Sequence, residues 1–161
     1  MMKGLFVRTL CVVALLVGLA AVASAQPGHG CRMATGNWAY TKTGTLLTPA
    51  GPVLYAAVGM LTIGLDGSST GTQVSNTGGT AVKNALIGTG SVEADCSVIA
   101  TVGVYNESGD TLLRTATIWL VLDDDGREAR GIVTQITLPN GYVVPSVLTM
   151  LFRKVENNRG L

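Results

Sequence analysis

Groups able to do acid–base, nucleophilic or metal chemistry are sparse in this chain of 161 residues. His29 is its one histidine. It falls in the 26–30 stretch, ahead of the first strand pattern, and reads as a tail residue rather than the base of a Ser-His-Asp relay. One His with Cys31 and Cys96 makes no zinc set. Asp123-Asp124-Asp125-Gly126 offers adjacent acids, whereas calcium loops present oxygens at alternating positions and close on a bidentate acid. Glu128 follows too soon, so a solvated hairpin turn is expected. The glycines sit in turns and strands, not in a phosphate-binding loop. Asn106-Glu107-Ser108 is formally a glycosylation sequon, with meaning only in a eukaryotic secretory pathway. Beyond residue 25, Glu93, Glu107 and Glu128 lie at or beside turns and Glu156 in the tail. No catalytic residue, metal or cofactor is expected.

Polar groups within strand-like segments are more informative. Arg114 shares strand parity with Ile118 and Leu120, and Asn84 with Val82 and Leu86. Gln135 shares it with Val133 alone. A ligand-binding interior is apolar with a few polar groups, so Arg114, Asn84 and Gln135 are the candidate ligand-binding residues. Parity does not say which face is inside. The competing reading has Arg114 and Lys42 reaching solvent with their stems along the sheet, because charged side chains are seldom buried without a partner.

The elements that carry these residues are strands. Residues 26–161 hold 18 Thr and 14 Val but only 4 Glu and 3 Lys. β-branched side chains suit a pleated surface better than a helix. Seven turn signals punctuate the chain: Thr48-Pro49-Ala50-Gly51-Pro52, Asp66-Gly67-Ser68, Asn76-Thr77-Gly78-Gly79, Glu93-Ala94-Asp95, the 106–110 segment, Asp123 to Gly126, and Pro139-Asn140-Gly141. Gly, Asn and Asp favour such turns through positive φ or side-chain bonds to their own backbone. They predict eight strands near 35–44, 54–65, 69–76, 81–92, 97–105, 111–122, 127–138 and 142–153. Short connections make consecutive strands antiparallel neighbours. The expected fold is therefore all-β, an eight-stranded antiparallel up-and-down barrel, which leaves no exposed edge. A two-sheet β-sandwich is the alternative. The 44–53 connection is the longest; Leu46 and Leu47 there either cover a barrel mouth or extend strand one.

The hydrophobic share is 47%, but 19 of these residues fall within the first 25. That segment has Lys3 and Arg8, an apolar run, and Ala23-Ser24-Ala25 before Gln26-Pro27, the pattern of a cleaved signal peptide. The expected organisation is a signal peptide at 1–25, a flexible lead-in at 26–34, one barrel domain at 35–155 and a tail at 156–161. A secreted or periplasmic location follows, with no membrane anchor after cleavage. Removal of Lys3 and Arg8 takes the formal charge from +1 to −1, which leaves no basic footprint for nucleic acid. Cys11 leaves with the signal. Cys31 and Cys96 then form an even pair in an oxidising compartment, where a bridge is favoured over two buried thiols. It would close a loop of about 65 residues and contribute about 4 kcal/mol in the chain-entropy picture.

Several strands are apolar on both faces, as at 118–122 and 147–152. A strand apolar on both sides is covered on both sides, so a homo-oligomer is expected.

Gly36-Asn37-Trp38 opens the first strand and Arg153 ends the last. This resembles the calycin signature, in which Trp closes the barrel base beneath a basic residue of the final strand. The resemblance assigns Gly36, Trp38 and Arg153 to the base, with Lys154 as the alternative to Arg153. More of the chain is similar to secreted bacterial barrels of allene-oxide-cyclase type. The matching features are Cys31 ahead of Gly36-Asn37-Trp38-Ala39-Tyr40, the 58–67 run ending in Leu65-Asp66-Gly67, and the 88–96 run ending in Asp95-Cys96. Leu65, Gly90 and Val98 depart from the usual Phe, aromatic and Gly. The resemblance spans roughly 31–105. It implies an eight-stranded barrel with a small-molecule-sized lumen and a Cys31–Cys96 pairing. Related barrels include cyclases and isomerases of hydrophobic substrates, and fold alone does not choose among functions. The expected function is non-catalytic binding of a small hydrophobic molecule. The alternatives are a cyclase or isomerase working in the lumen, and a structural envelope oligomer with a filled barrel.

Overall fold

The computed structural model describes residues 34–123 and 125–155. The expected signal peptide, most of the 26–34 lead-in and the 156–161 tail lie outside them, as do Cys11, His29 and Cys31. Eight strands follow in chain order: β1 (Gly36–Thr48), β2 (Gly51–Ile63), β3 (Ser68–Thr77), β4 (Thr80–Val92), β5 (Ser97–Tyr105), β6 (Leu112–Leu122), β7 (Glu128–Thr137) and β8 (Ser146–Lys154). Each pairs antiparallel with the next. β8 returns to β1 over the register Trp38↔Lys154 to Leu46↔Ser146, so the sheet is a closed up-and-down barrel. Closure replaces the sandwich alternative, because no edge remains to form a second sheet.

Turn chemistry sets the corners. The Asp66 carboxylate accepts the Ser68 N–H at 3.0 Å and the Ser68 hydroxyl at 2.6 Å. Asp95 does the same for Ser97, at 3.0 and 2.6 Å. Asp123 accepts the N–H groups of Arg127 and Glu128 at 2.8 and 3.0 Å, so this carboxylate caps a turn. These bonds hold all three carboxyls below the usual range, chiefly through the Ser hydroxyls and, for Asp123, the Glu128 N–H.

Two connections differ from the sequence reading. β1 continues to Thr48 and β2 begins at Gly51, so the 44–53 segment is a tight hairpin, not a long loop. Leu46 pairs with Val53 and Leu47 with Pro52, and both leucines extend the strand. The Thr48 hydroxyl ties this turn by donating to the Gly51 carbonyl at 2.8 Å. The longest connection is instead 138–145, because β8 starts only at Ser146.

Alternation sorts the side chains. Trp38, Leu61, Val98, Leu120, Ala129 and Phe152 point inward with their neighbours, and the core side chains keep 1–8% exposure and pack into one cluster. Gly59 makes one approach possible: a Cβ there would lie 2.5 Å from the Thr72 carbonyl oxygen and 2.8 Å from the Tyr40 ring. The outer face carries many Thr and exposed apolar residues, among them Leu54, Val58, Met60, Trp119, Val121 and Ile132.

Candidate functional site

Strand polarity divides the interior into two halves. The four hairpins β1–β2, β3–β4, β5–β6 and β7–β8 share one rim, and Trp38 lies near the other. At the Trp38 end, Gly36 has φ +106°, which a side chain would disfavour. The Trp38 indole is 1% exposed, and its Nε1–H donates to the Ala34 carbonyl at 2.5 Å. The cation over the ring is Lys154, with Nζ 5.7 Å from it. Arg153 is on the outside, 3.2 Å from Glu128. This corrects the assignment of Arg153 to the base. Leu148, Met150 and Phe152 point inward, so by period-two alternation position 154 faces Trp38 and position 153 does not.

Polar side chains gather in the half nearer the hairpin rim. Asn84 is 2% exposed and forms the hub of a buried network. Its Oδ1 accepts from Gln73 Nε2 at 3.2 Å and from Ser75 Oγ at 3.0 Å, and its Nδ2 donates to the Tyr105 carbonyl at 3.1 Å. The Tyr40 hydroxyl donates to Gln73 Oε1 at 2.7 Å. Among the described residues, no buried side-chain nitrogen or oxygen lacks a partner.

Beside this network sits a cationic cluster. Lys42 and Tyr55 are 6% and 5% exposed, and Arg114 is half-buried. Arg114 reaches across from β6 and donates from Nη2 to the Tyr55 hydroxyl at 3.3 Å. Its guanidinium carbon lies 5.9 Å from the Tyr55 ring centroid, and Lys42 Nζ lies 5.1 Å from it. Burial opposes ionisation of Tyr55, but Lys42 and then Arg114 outweigh it and hold the phenol below its ordinary value. Burial lowers the Lys42 ammonium, with Tyr55 opposing and Arg114 assisting. Burial, then Tyr55, pushes Tyr40 well above the ordinary phenol range. Among the described residues, no carboxylate lies within ion-pair distance of Lys42 or Arg114; the pairs formed are Lys83–Glu107, Arg127–Asp125, and Glu128 with Arg130 and Arg153.

Of the three residues singled out from sequence, Arg114 and Asn84 point inward and Gln135 does not. Gln135 is exposed and donates to the Thr137 hydroxyl at 2.9 Å. The reason is a bulge: Thr117 pairs with Gln135 but Ile118 with Val133, so Thr134 is an extra residue and parity breaks there. Val133 and Ile136 both face in, while Gln135 faces out. Tyr55, Tyr40 and Gln73 escaped the sequence reading, and Lys42, which the competing reading sent to solvent, is buried instead. Parity from Trp38 was a usable signal, since 38, 40 and 42 share one face. The turn-capping carboxylates stay outside this site. So does a shallow outer groove of about 250 Å³ beside Val58, Met60, Thr72, Val74 and Lys83. Cys96 has a partner and a positive φ of 66° in the turn before β5. Its expected mate, Cys31, lies outside the described residues.

No family model and no curated protein matches this chain. Among solved structures it is similar to a redesigned beta barrel, mFAP1, bound to DFHBI. Identity is 13% and the TM-score 0.49, with 78% of this chain and 99% of that one covered. It is also similar to a putative ATTH from Nitrosomonas europaea, at 11% identity and a TM-score of 0.35. That match covers 78% of this chain and 54% of the other.

Proposed function

We propose that this chain is a small-molecule-binding barrel whose ligand enters at the hairpin rim and is not transformed. One observation carries the reading: Lys42, Tyr55 and Arg114 converge inside the barrel beside the Asn84 network, and Arg114 is only half-buried. Cations drawn inside a barrel with no carboxylate beside them cost stability, which favours a binding site here. Leu46, Val53, Val82 and Val144 give the rim an apolar collar for a hydrophobic ligand. Export to a secreted or periplasmic location, a Cys31–Cys96 bridge and self-association through the exposed apolar belt belong to the same proposal. The Trp38–Lys154 base supports placing the chain with calycin-like barrels.

A cyclase or isomerase is the second reading, and Tyr55 favours it. A phenol held between two cations can give or take a proton, and enclosure supplies orientation. Native mass spectrometry with a panel of amphipathic molecules tests binding. A retained, unmodified ligand is expected. A converted one moves the chain to the second reading, and failure to retain any removes the first.

A further inference from the structure

We infer that the ligand is an organic anion, a carboxylate or comparable acid bearing an apolar tail, with its head group on Lys42, Tyr55 and Arg114. This deepens the proposed binding function and rests on it. A guanidinium is charged at any ordinary pH. The cluster is therefore positive as long as Lys42 and Tyr55 hold at least one proton between them. Among the described residues, none of the acids that pair with cations reaches Lys42 or Arg114: Glu107, Asp125 and Glu128 each pair elsewhere. The neighbouring amides leave little spare capacity, since Gln73 and Asn84 are bonded to Tyr40, Ser75, each other and the Tyr105 carbonyl. A guanidinium and an ammonium meeting at one hydroxyl form a recognition site for two acceptor oxygens.

Position sets the ligand's orientation. Val82 is inward by parity with Asn84 and lies two residues nearer the hairpin rim, yet it is 48% exposed. Leu46 pairs with Val53 on the same rim, and Leu46 and Val144 pack against the core. An anionic head thus meets the cationic floor while its tail lies against this collar.

The test compares decanoate, decanol and decylamine by isothermal titration at neutral pH on wild type, R114Q and K42M. Decanoate is expected to bind wild type roughly tenfold or more tighter than decanol, the scale of one charge-assisted contact. R114Q is expected to shrink that preference to about threefold or less. Circular dichroism verifies that the variants remain folded; the wild-type comparison decides the matter even if neither does. Equal binding of decanoate and decanol, or preference for decylamine, overturns the anion assignment and leaves a binding barrel. Binding of none of the three overturns both readings.

Discussion

Replacing Asn84 by alanine removes the hub of the interior network while leaving the barrel's apolar contacts almost unchanged. Three bonds go with it, to Gln73, Ser75 and the Tyr105 carbonyl. Gln73 keeps its bond from Tyr40 through Oε1, but its Nε2 loses its acceptor. Ser75 keeps only a 3.5 Å approach to the Val82 carbonyl. Two buried donors are thus left poorly satisfied, at about 1–3 kcal/mol each. The expected loss is about 2–6 kcal/mol, the lower end applying if water enters the space. In a domain of this size that lowers Tm by on the order of 12 °C. Gln135→Ala removes a similar amide from the exposed outer face and should cost less than about 0.5 kcal/mol. Urea unfolding of both variants measures the contrast. A double-mutant cycle then isolates the network: Ser75→Ala should cost about 1 kcal/mol in wild type but should cost nothing or stabilise once Asn84 is alanine, because it then removes a donor already left poorly satisfied. The reasoning is refuted if Asn84→Ala and Gln135→Ala are equally mild, or if Ser75→Ala costs the same in both backgrounds.

Lys154→Ala should change Trp38 fluorescence and cost about 0.5–1 kcal/mol, the scale of an exposed cation–π contact, whereas Arg153→Ala should leave the emission unchanged. Gly59→Ala should destabilise by about 1–3 kcal/mol through overpacking against the Tyr40 ring and the Thr72 carbonyl, measured by thermal melting. Absorbance at 295 nm should show Tyr55 ionising below the ordinary tyrosine range and Tyr40 well above it. Tyr55→Phe should remove the early component and Tyr40→Phe the late one. The signs oppose: the lowered Tyr55 value contributes stability above the unfolded pKa of about 10, lost as pH falls through the folded value. The raised Tyr40 value contributes stability fully present below about 10 and lost as pH rises.

The strand count and order were legible in the sequence because turns are local. Asp66-Gly67-Ser68 and Asn76-Thr77-Gly78-Gly79 specify their corners with their own side chains and backbone freedom. Asn84 and Arg114 were legible as inward candidates because alternation holds locally along their strands. What failed were inferences that crossed an irregularity or needed a second strand. Gln135 was misplaced by a single extra residue at Thr134, which no parity count can register. Arg153 gave way to Lys154 because the inward face of β8 is fixed by its pairing with β1, not by residue type.

Composition and turn spacing by themselves determined an all-β chain of eight consecutive antiparallel strands, since both depend on backbone preferences within a few residues. Only the closed barrel decided which face was inside. Closure brought Arg114 of β6 to Tyr55 of β2, 59 residues away in sequence, where the β1–β2 pairing already holds Lys42. Two cations and a phenol on three separate strands carry no shared local signal. Their meeting is a property of register and curvature summed around the whole barrel, and that sum exists only in three dimensions.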